Sequence, residues 1–313
     1  MAATLFQPVS HAGPTDLRSD LDLSVEQLSH LLDLTQLVKH GNQRYASSLR
    51  GRSLALLFEK PSLRTRMTFE LAIKQLGGEA VTQVGLIGDR EPLKDIARNL
   101  DRWTDAIVAR TFSQQTVDHL AEWSRVPVIN ALSDMFHPCQ ALADIFTLNE
   151  QFGRLKGLKL AYVGDGNNVA HSLLLGCARL GINMSVATPK GYEPLPAIVE
   201  QAREFAALTA AEIEITSNPL DAVAAANAVY TDVWTSMGQE GQATERKQVF
   251  CDYQVNQALM SEARKDAVFM HCLPAKRGQE VVDEVIESSQ SVVFDQAENR
   301  LHVQKALLLS MLQ

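Results

Sequence analysis

Residues Leu54–Gly78 read LALLFEKPSLRTRMTFELAIKQLGG and indicate the fold class most clearly. The first five of these residues form a short apolar run, which is typical of a buried strand. Residues 67–76 carry apolar side chains at helical spacing, and the glycine pair that follows is a helix-ending signal. A polar loop, residues 59–66, joins the two. A strand, a loop and a helix in this order are the unit of an α/β fold.

The same unit recurs along the chain. A helix is predicted from Ser24, which has capping-box spacing with Gln27, and others are predicted over Val169–Leu180 and Val303–Leu312. The predicted strands are Leu54–Phe58, Ala106–Ala109, Pro127–Leu132, Leu158–Val163, Met184–Ala187, Ile213–Ile215, Ala228–Thr231, Ala267–Met270 and Val292–Phe294. We therefore predict an α/β fold of two doubly wound domains with mostly parallel sheets.

The length of 313 residues predicts two domains rather than one. A polar stretch at Gln151–Gly157 is the expected boundary, with a loosely held arm over 1–22 and domains over 23–150 and 151–313. We expect the C-terminal helix to pack back on the first domain. Ligands of open α/β sheets bind beyond the carboxyl ends of the strands, so the active site is expected in the cleft between the domains.

The composition excludes several classes of protein. A net charge of -8 argues against general binding to nucleic acid or to an anionic membrane. No run of about 18 apolar residues predicts a membrane span, and Met1–Asp20 lacks the pattern of a secretory signal. The four cysteines show neither CxxC pairs nor metal-ligand spacing, which predicts reduced thiols, a cytoplasmic location and no metal site.

Polar or reactive groups follow six of the predicted strands. The turn Ser62–Arg66 offers hydroxyls and guanidiniums at a helix start, a setting that suits phosphate; the alternative is a capped helix with a solvated basic first turn. Arg110 ends an apolar strand, where it either binds an anion or forms a structural salt bridge. His137 could polarise a carbonyl group or only cap local structure.

The remaining strand ends are less specific by themselves. Cys272 lies between His271 and Pro274 at a strand end, although a buried cysteine is usually a small apolar filler. The turn Gly164–Asn168 is rich in glycine but lacks the GxGxxG spacing, so it is a weak indication of dinucleotide binding.

Five segments in this order resemble the ornithine carbamoyltransferases, within the aspartate/ornithine carbamoyltransferase family. They are FEKPSLRTRMTFE (58–70), HPCQALADIFTL (137–148), GDGNNVAHS (164–172), DVWTSMGQE (232–240) and HCLPAKRGQEV (271–281). The resemblance runs from about Leu21 to the C-terminus. The SxRTR and HPxQ patterns mark the whole family, whereas SMG and HCLP resemble the ornithine-binding half.

The resemblance implies transfer of the carbamoyl group of carbamoyl phosphate to the δ-amine of L-ornithine, giving L-citrulline and phosphate in arginine metabolism. It implies no cofactor, and a homotrimer or a multiple of trimers. Residues implied in catalysis are Arg110, His137, Asp232 and Cys272. Those implied in binding carbamoyl phosphate are Ser62, Leu63, Arg64, Thr65, Arg110, His137, Gln140, Cys272, Leu273, Arg300 and, as a further candidate, Gln83. Those implied in binding ornithine are Asn168, Asp232, Ser236 and Met237.

The chain departs from the family pattern at Leu63, which stands where the motif STRTR has its first threonine. In the family the loop at Gln83–Glu91 contributes a residue to the neighbouring subunit's site, and Gln83 is the candidate. The alternatives are a carbamoyltransferase for putrescine, an N-acylated ornithine or aspartate, a nucleotide-dependent dehydrogenase, and a catalytically silent paralogue.

Overall fold

The computed structural model describes residues 16–236 and 238–313. Residues 1–15 of the expected arm and the expected ornithine ligand Met237 lie outside the described residues. The strands are β1 Ser53–Phe58, β2 Glu79–Val84, β3 Ala106–Arg110, β4 Val128–Leu132, β5 Lys159–Val163, β6 Asn183–Ala187, β7 Ile213–Thr216, β8 Ala228–Thr231 and β9 Val268–His271. The helices are α1 Val25–His40, α2 Leu63–Gln75, α3 Leu93–Trp103, α4 Gln114–Trp123, α5 Pro138–Phe152, α6 Asn168–Arg179, α7 Pro196–Thr209, α8 Pro219–Val223, α9 Ala243–Val249, α10 Gln257–Ser261, α11 Asp283–Ile286 and α12 Val293–Leu312.

The strands form two parallel sheets, and this confirms the predicted fold class. The first has the order β2-β1-β3-β4 and the second the order β7-β6-β5-β8-β9. Central strands such as β1 pair on both edges, with Leu56 opposite Thr82 on one side and Val108 on the other. All neighbouring strands therefore end at the same edge of their sheet, which is where the polar loops follow.

Each sheet is covered on both faces, which explains its unbroken apolar strands. Along β1, Leu54 and Leu56 face a large core that extends through α2, α5, α6 and α12 to β5 and β6. Ala55 and Leu57 face a smaller core under α3 and α4. The large core is shared by the two sheets, so helices α5, α6 and α12 hold them together.

One predicted strand is wrong and one strand was not predicted. The run Val292–Phe294 was expected to be a strand, yet helix α12 begins at Val293. Three apolar residues have no period of their own, whereas the buried set Gln296, Arg300 and Val303 recurs at helical spacing. Strand β2 is an edge strand that is mostly exposed, so its sequence EAVTQV lacks the apolar run of a buried strand.

The N-terminal segment Asp16–Asp22 contacts both halves of the molecule. The Leu17 amide donates to the Val128 carbonyl oxygen of β4, and the side chains of Leu17 and Asp20 are buried. At the other end of the chain, α12 packs against α1, α2 and α5. Among the described residues, no helix is both long and apolar enough to cross a membrane.

Candidate active site

A cleft of about 1340 Å³ opens where the carboxyl ends of the two sheets face each other. It is lined by most of the residues that the sequence indicated. They are Ser62, Leu63, Arg64, Thr65, Arg110, His137, Gln140, Asn168, Asp232, Ser236, Cys272, Leu273 and Arg300. Residues far apart in the chain therefore meet in one place, because each follows a parallel strand or begins a helix at that edge.

The first helical turn of α2 forms one end of the cleft. Ser62 is the N-cap of this helix, but its side chain makes no capping hydrogen bond. The free N–H groups and the positive end of the helix dipole therefore remain for an anion. The capped-helix alternative for this turn is not what the structure has. Arg64 lines the cleft, whereas the exposed Arg66 pairs with Glu70 outside it.

Two further arginines converge on Thr65, which is fully buried in the same turn. The guanidinium of Arg300 donates to Thr65 Oγ1 at 2.6 Å, and that of Arg110 donates to the same oxygen at 3.4 Å. Burial, with the nearby charges of Arg300 and Arg64, lowers the pKa of Arg110 to about 10. Arg110 thus stays cationic at neutral pH, and the crowded positive charge favours a ligand with more than one negative charge.

His137 and Gln140 lie at the start of α5, beside these arginines. Burial, together with Arg300 and Arg110, lowers the pKa of His137 well below its ordinary 6.5, so the imidazole is neutral at pH 7. Its Nδ1 and the Oε1 of Gln140 are buried without a partner in the part of the chain that the structure describes. Such atoms are costly unless a ligand satisfies them, at about 1–3 kcal/mol each.

Asp232 and Cys272 stand on the opposite wall, after β8 and β9. The Cys272 thiol donates to Asp232 Oδ1 at 3.0 Å, and Asn167 Nδ2 donates to Asp232 Oδ2 at 2.8 Å. Burial and the neighbouring Asp232 raise the pKa of the Cys272 thiol well above its ordinary value. The sulfur is therefore a neutral thiol rather than a nucleophilic thiolate. Asn168 begins α6 and donates through Nδ2 to the Ser133 carbonyl oxygen at 2.6 Å, across the cleft.

The loop that follows Asp232 is held by hydrogen bonds from Arg246. Its guanidinium donates to Asp165 Oδ2 and to the Trp234 carbonyl oxygen, each at 2.8 Å, and lies over the ring of Tyr192. Ser236 follows on this loop and lines the cleft.

The loop after β9 is held by a buried pair. His271 Nδ1 accepts from the Leu273 amide at 2.8 Å, and His271 Nε2 lies 3.2 Å from Glu280 Oε1. Leu273 has a φ of 56°, in the left-handed region that costs a non-glycine residue conformational energy. These bonds hold the backbone of Leu273 where this residue lines the cleft.

Three side chains bring metal-ligand atoms close together. One atom each of Asp232, His271 and Cys272 lies within 4.8 Å of the others. These atoms already bond to one another or to neighbours: the thiol to Asp232, and the imidazole to Leu273 and Glu280. We assign no metal to the trio.

The sequence assigned Gln83 to a neighbouring subunit's site rather than to the cleft of its own chain. Gln83 is exposed on edge strand β2 and does not line the cleft of its own chain. Asn167, which the sequence did not single out, holds Asp232 and also caps α6 by accepting from the amides of Val169 and Ala170. An asparagine before a helix is a recognised N-cap signal, and it could have indicated Asn167.

The fold and the cleft define a two-domain α/β protein in which the cationic end of the cleft faces Asp232 and Cys272 at the other end. Residues 15–150 match the family described as aspartate/ornithine carbamoyltransferase, carbamoyl-P binding domain, and residues 156–311 match its Asp/Orn binding domain. The chain belongs to the aspartate/ornithine carbamoyltransferase family.

Individual relatives agree with this assignment over nearly the whole chain. The chain is 48% identical to an ornithine carbamoyltransferase of Gloeobacter violaceus, over 100% of this chain and 98% of the relative. It is 50% identical to one of Anoxybacillus flavithermus, over 93% of this chain and 94% of the relative. The solved ornithine carbamoyltransferase of Pyrococcus furiosus superposes with a TM-score of 0.94 at 46% identity, over 97% and 99% of the two chains.

Proposed function

We propose that this enzyme transfers the carbamoyl group of carbamoyl phosphate to the δ-amine of L-ornithine, giving L-citrulline and phosphate. The observation that carries the proposal is the single cleft with two unlike ends. One end gathers Arg64, Arg110 and Arg300 around a helix start, and the other presents Asp232 beside a neutral Cys272 thiol. A doubly charged phosphate fits the first end, and an amine fits the second.

The residues at the cationic end have distinct proposed roles. Ser62, Arg64, Thr65, Arg110 and the Leu63 amide bind the phosphate group. His137, Arg110 and Thr65 donate to the carbamoyl oxygen, with Arg300 beside it, while Gln140 and the backbone at Cys272–Leu273 orient the carbamoyl nitrogen. A neutral His137 retains one N–H to donate, as a polarised carbonyl requires. This assignment supports attack by an uncharged amine on the carbamoyl carbon.

The reaction then proceeds without a covalent enzyme intermediate. The amine nitrogen forms the new C–N bond, the negative charge moves to the carbamoyl oxygen, and the C–O bond to phosphate breaks. Phosphate departs with the bonding electrons into the arginine cluster and accepts the proton that the nitrogen releases. Much of the rate increase comes from holding the two substrates together in one cleft.

The acceptor is assigned to the opposite wall. Asp232 receives the δ-amine next to Cys272, and Asn168, Ser236 and Met237 bind the α-amino and α-carboxylate groups. The half-buried position of Asn168 and Ser236 at the cleft supports recognition of polar groups there. Putrescine lacks an α-carboxylate and makes no use of those groups.

A nucleotide-dependent dehydrogenase fits the site less well. The Asn167 side chain accepts from the Val169 and Ala170 amides, which a dinucleotide phosphate would need. A Cβ on Gly166 would lie 2.2 Å from the Pro194 nitrogen, so another chain segment already covers this turn.

The test is citrulline formation by the purified protein from carbamoyl phosphate and L-ornithine. Putrescine, N-acetylornithine and aspartate are assayed beside ornithine. Turnover with ornithine and little with the others is the expected result. Turnover with a different amine would keep the carbamoyl phosphate site and overturn the acceptor assignment, and no turnover at all would favour a silent paralogue.

We also propose that the protein is a homotrimer or a multiple of trimers. Large apolar side chains are exposed on one face of α2 at a spacing of four residues, and others lie on and just after β2. They are Leu63, Met67, Leu71, Val81, Val84 and Leu86. Gln83 lies among them, so a packed trimer would carry it towards a neighbouring subunit's cleft. Sedimentation should give three times the chain mass of 34.5 kDa, or a multiple of that value.

Two further expectations remain proposals. A cytoplasmic location is supported by four free cysteines, and cell fractionation would test it. The division into a carbamoyl phosphate domain over 23–150 and an ornithine domain over 151–313 is supported by the two separate sheets. Expression of the two pieces and measurement of their folding would test that division.

A further inference from the structure

A carboxylate that the proposed mechanism does not use lies behind the carbamoyl end of the cleft. Asp144 is fully buried on α5, one helical turn after Gln140. It accepts from Gln296 Nε2 at 2.6 Å, from Gln140 Nε2 at 2.7 Å and from the Tyr230 hydroxyl at 3.0 Å. These donors come from α12, α5 and β8, so the carboxylate joins two helices of the shared core to a strand of the second sheet.

The charge of Asp144 determines which end of the Gln140 amide faces it. Burial raises the pKa of Asp144 to about 6, so at pH 7.5 and above the group is ionised and can only accept hydrogen bonds. A Gln140 amide turned by half a rotation would place its oxygen against a carboxylate oxygen. Asp144 therefore holds Nε2 towards itself, and Oε1 of Gln140 becomes the free end of the amide.

That free end is an unused acceptor in a site built mostly of donors. Gln140 lines the cleft, and its Oε1 is buried without a partner among the described residues. Carbamoyl phosphate has a single nitrogen donor, its NH₂ group. A hydrogen bond from this group to Oε1 would remove the cost of the unpaired oxygen and would distinguish a carbamoyl group from an acetyl group.

The same network reaches the other side of the carbamoyl group. Gln296, which donates to Asp144, accepts from the His271 amide through Oε1 at 3.0 Å. His271 ends β9 directly before Cys272 and Leu273, which both line the cleft. Asp144 thus holds Gln140 directly, and through Gln296 it also holds the start of the Cys272–Leu273 segment on the other side of the carbamoyl nitrogen.

We propose that Asp144 is a positioning residue that makes the site selective for carbamoyl phosphate over other acyl phosphates, by holding the Gln140 amide with Oε1 towards the substrate NH₂. The inference rests on the proposed function, because it concerns how the first substrate of that reaction is recognised. It assigns Asp144 no contact with the substrate and no proton transfer.

The experiment compares three ligands on the purified full-length protein at pH 8. Dissociation constants are measured by calorimetry for carbamoyl phosphate, for acetyl phosphate, which has a methyl group in place of NH₂, and for inorganic phosphate. In Asp144→Ala, binding of carbamoyl phosphate should weaken roughly 10- to 100-fold, the range expected for one lost hydrogen bond and an unpaired buried group. Acetyl phosphate and phosphate should change less than twofold. Equal weakening of all three, or unchanged carbamoyl phosphate binding, would overturn the proposal.

Matched variants separate positioning from general damage to the core. Tyr230→Phe removes another contact of the same carboxylate and leaves Gln140 in place, so the carbamoyl-to-acetyl preference should stay near wild type. Asp144→Asn keeps an oxygen that can accept from Gln140 Nε2. The preference for carbamoyl phosphate over acetyl phosphate should therefore stay within about threefold of wild type, whereas full loss of one hydrogen bond would lower it roughly tenfold. If the preference of Asp144→Asn fell to that of Gln140→Ala, the proposal would fail. This arm does not depend on whether Asp144→Ala can be purified.

A double variant provides the last arm. Because Asp144 acts through Gln140, Asp144→Ala should add nothing to Gln140→Ala in this preference. Wild-type citrulline formation with an unshifted preference in Asp144→Ala would reject only the role of Asp144. An intact wild-type preference for carbamoyl phosphate without citrulline formation would reject the proposed transfer to ornithine and leave the role of Asp144 unaffected.

Discussion

The two walls of the cleft are built in different ways. The wall assigned to carbamoyl phosphate is built mainly from side chains on helices or at their starts, with Arg110 at the end of β3. Thr65, His137, Gln140 and Arg300 in this wall are all at least 96% buried. The wall assigned to the acceptor includes an irregular loop, in which Ser236 and Gln239 are half-buried and Gly238 is exposed. The first wall is held by the shared core, whereas part of the second is a loop whose side chains are only partly buried.

The different construction of the two walls suggests different roles in the rate of transfer and in the choice of amine. Charged groups that are fixed in advance stabilise developing charge without reorganisation, so the helical wall should control the rate of transfer. A loop on a rigid scaffold can vary without disturbing the core, so the second wall should decide which amine is used. Substitutions on the first wall should therefore change the kinetic constants for carbamoyl phosphate, and substitutions on the second wall should change those for ornithine.

The largest effect is expected at Arg64. Arg64→Gln removes a half-buried cation from the phosphate end of the cleft and should lower kcat/KM for carbamoyl phosphate by roughly 10²–10³-fold. Steady-state kinetics with saturating ornithine measure the effect. Arg66→Gln is the matched control, because Arg66 lies two residues away, is exposed and pairs with Glu70. A similar loss in both variants would show that general positive charge, rather than the cleft, matters.

Asp232 offers the corresponding test of the other wall. Asp232→Ala removes the carboxylate that binds the Cys272 thiol and Asn167, and should raise the KM for ornithine by about 10²-fold. The KM for carbamoyl phosphate should change less than threefold. Asp266→Ala is a suitable control, since that carboxylate is exposed and pairs with Arg264. Equal changes in both substrate constants would contradict the division of the cleft into two walls.

Asp20 tests how the walls are joined. It accepts from Ser172 of α6, whose hydroxyl in turn accepts from the His137 amide. Burial raises the pKa of Asp20 to about 7, above the ordinary 3.8. The native state therefore holds a proton that the unfolded state has released, and stability falls as the pH rises from about 4 to 7.

Asp20→Asn keeps an acceptor for Ser172 but cannot ionise. At pH 8 it should raise the free energy of unfolding by roughly 2–4 kcal/mol, and at pH 4 it should have little effect. Urea unfolding at both pH values measures this. Asp22→Asn should act in the opposite direction at pH 8, because Asp22 accepts from the backbone amides of Arg18 and Ser19. An equal gain at both pH values would mean that ionisation of Asp20 is not the cause.

The sequence brought the residues of the first wall together more completely than it predicted the connections between the two walls. Strand ends and helix starts are local signals. The sequence alone therefore placed Ser62, Arg64, Arg110 and His137 at the carboxyl ends of the strands. The confirmed fold class rests on the same local signals. The strand β2 was missed because an exposed edge strand needs few apolar residues.

The supporting residues could not be predicted, because their partners are distant in the chain. Asp144 and Gln296 are 152 residues apart, and Asp20 and Ser172 have the same separation. Asp144 lies inside a helix, and the sequence around it does not distinguish a buried aspartate from one exposed to solvent. Only the packing of α5, α6 and α12 between the sheets brings such pairs together.

The smallest effect is expected at Leu63, where the chain lacks a threonine hydroxyl of the family motif. Leu63 is the first residue of α2, is 69% exposed and lines the cleft, so a substitution there should not disturb the core. Leu63→Thr should lower the KM for carbamoyl phosphate by about three- to tenfold, the net effect of one additional hydrogen bond worth roughly 1 kcal/mol. Leu63→Val has the shape of threonine without its hydroxyl, and should stay near wild type. If both variants tightened binding equally, removal of the leucine side chain would be the cause, and the phosphate end would depend on the backbone amide and the arginines alone.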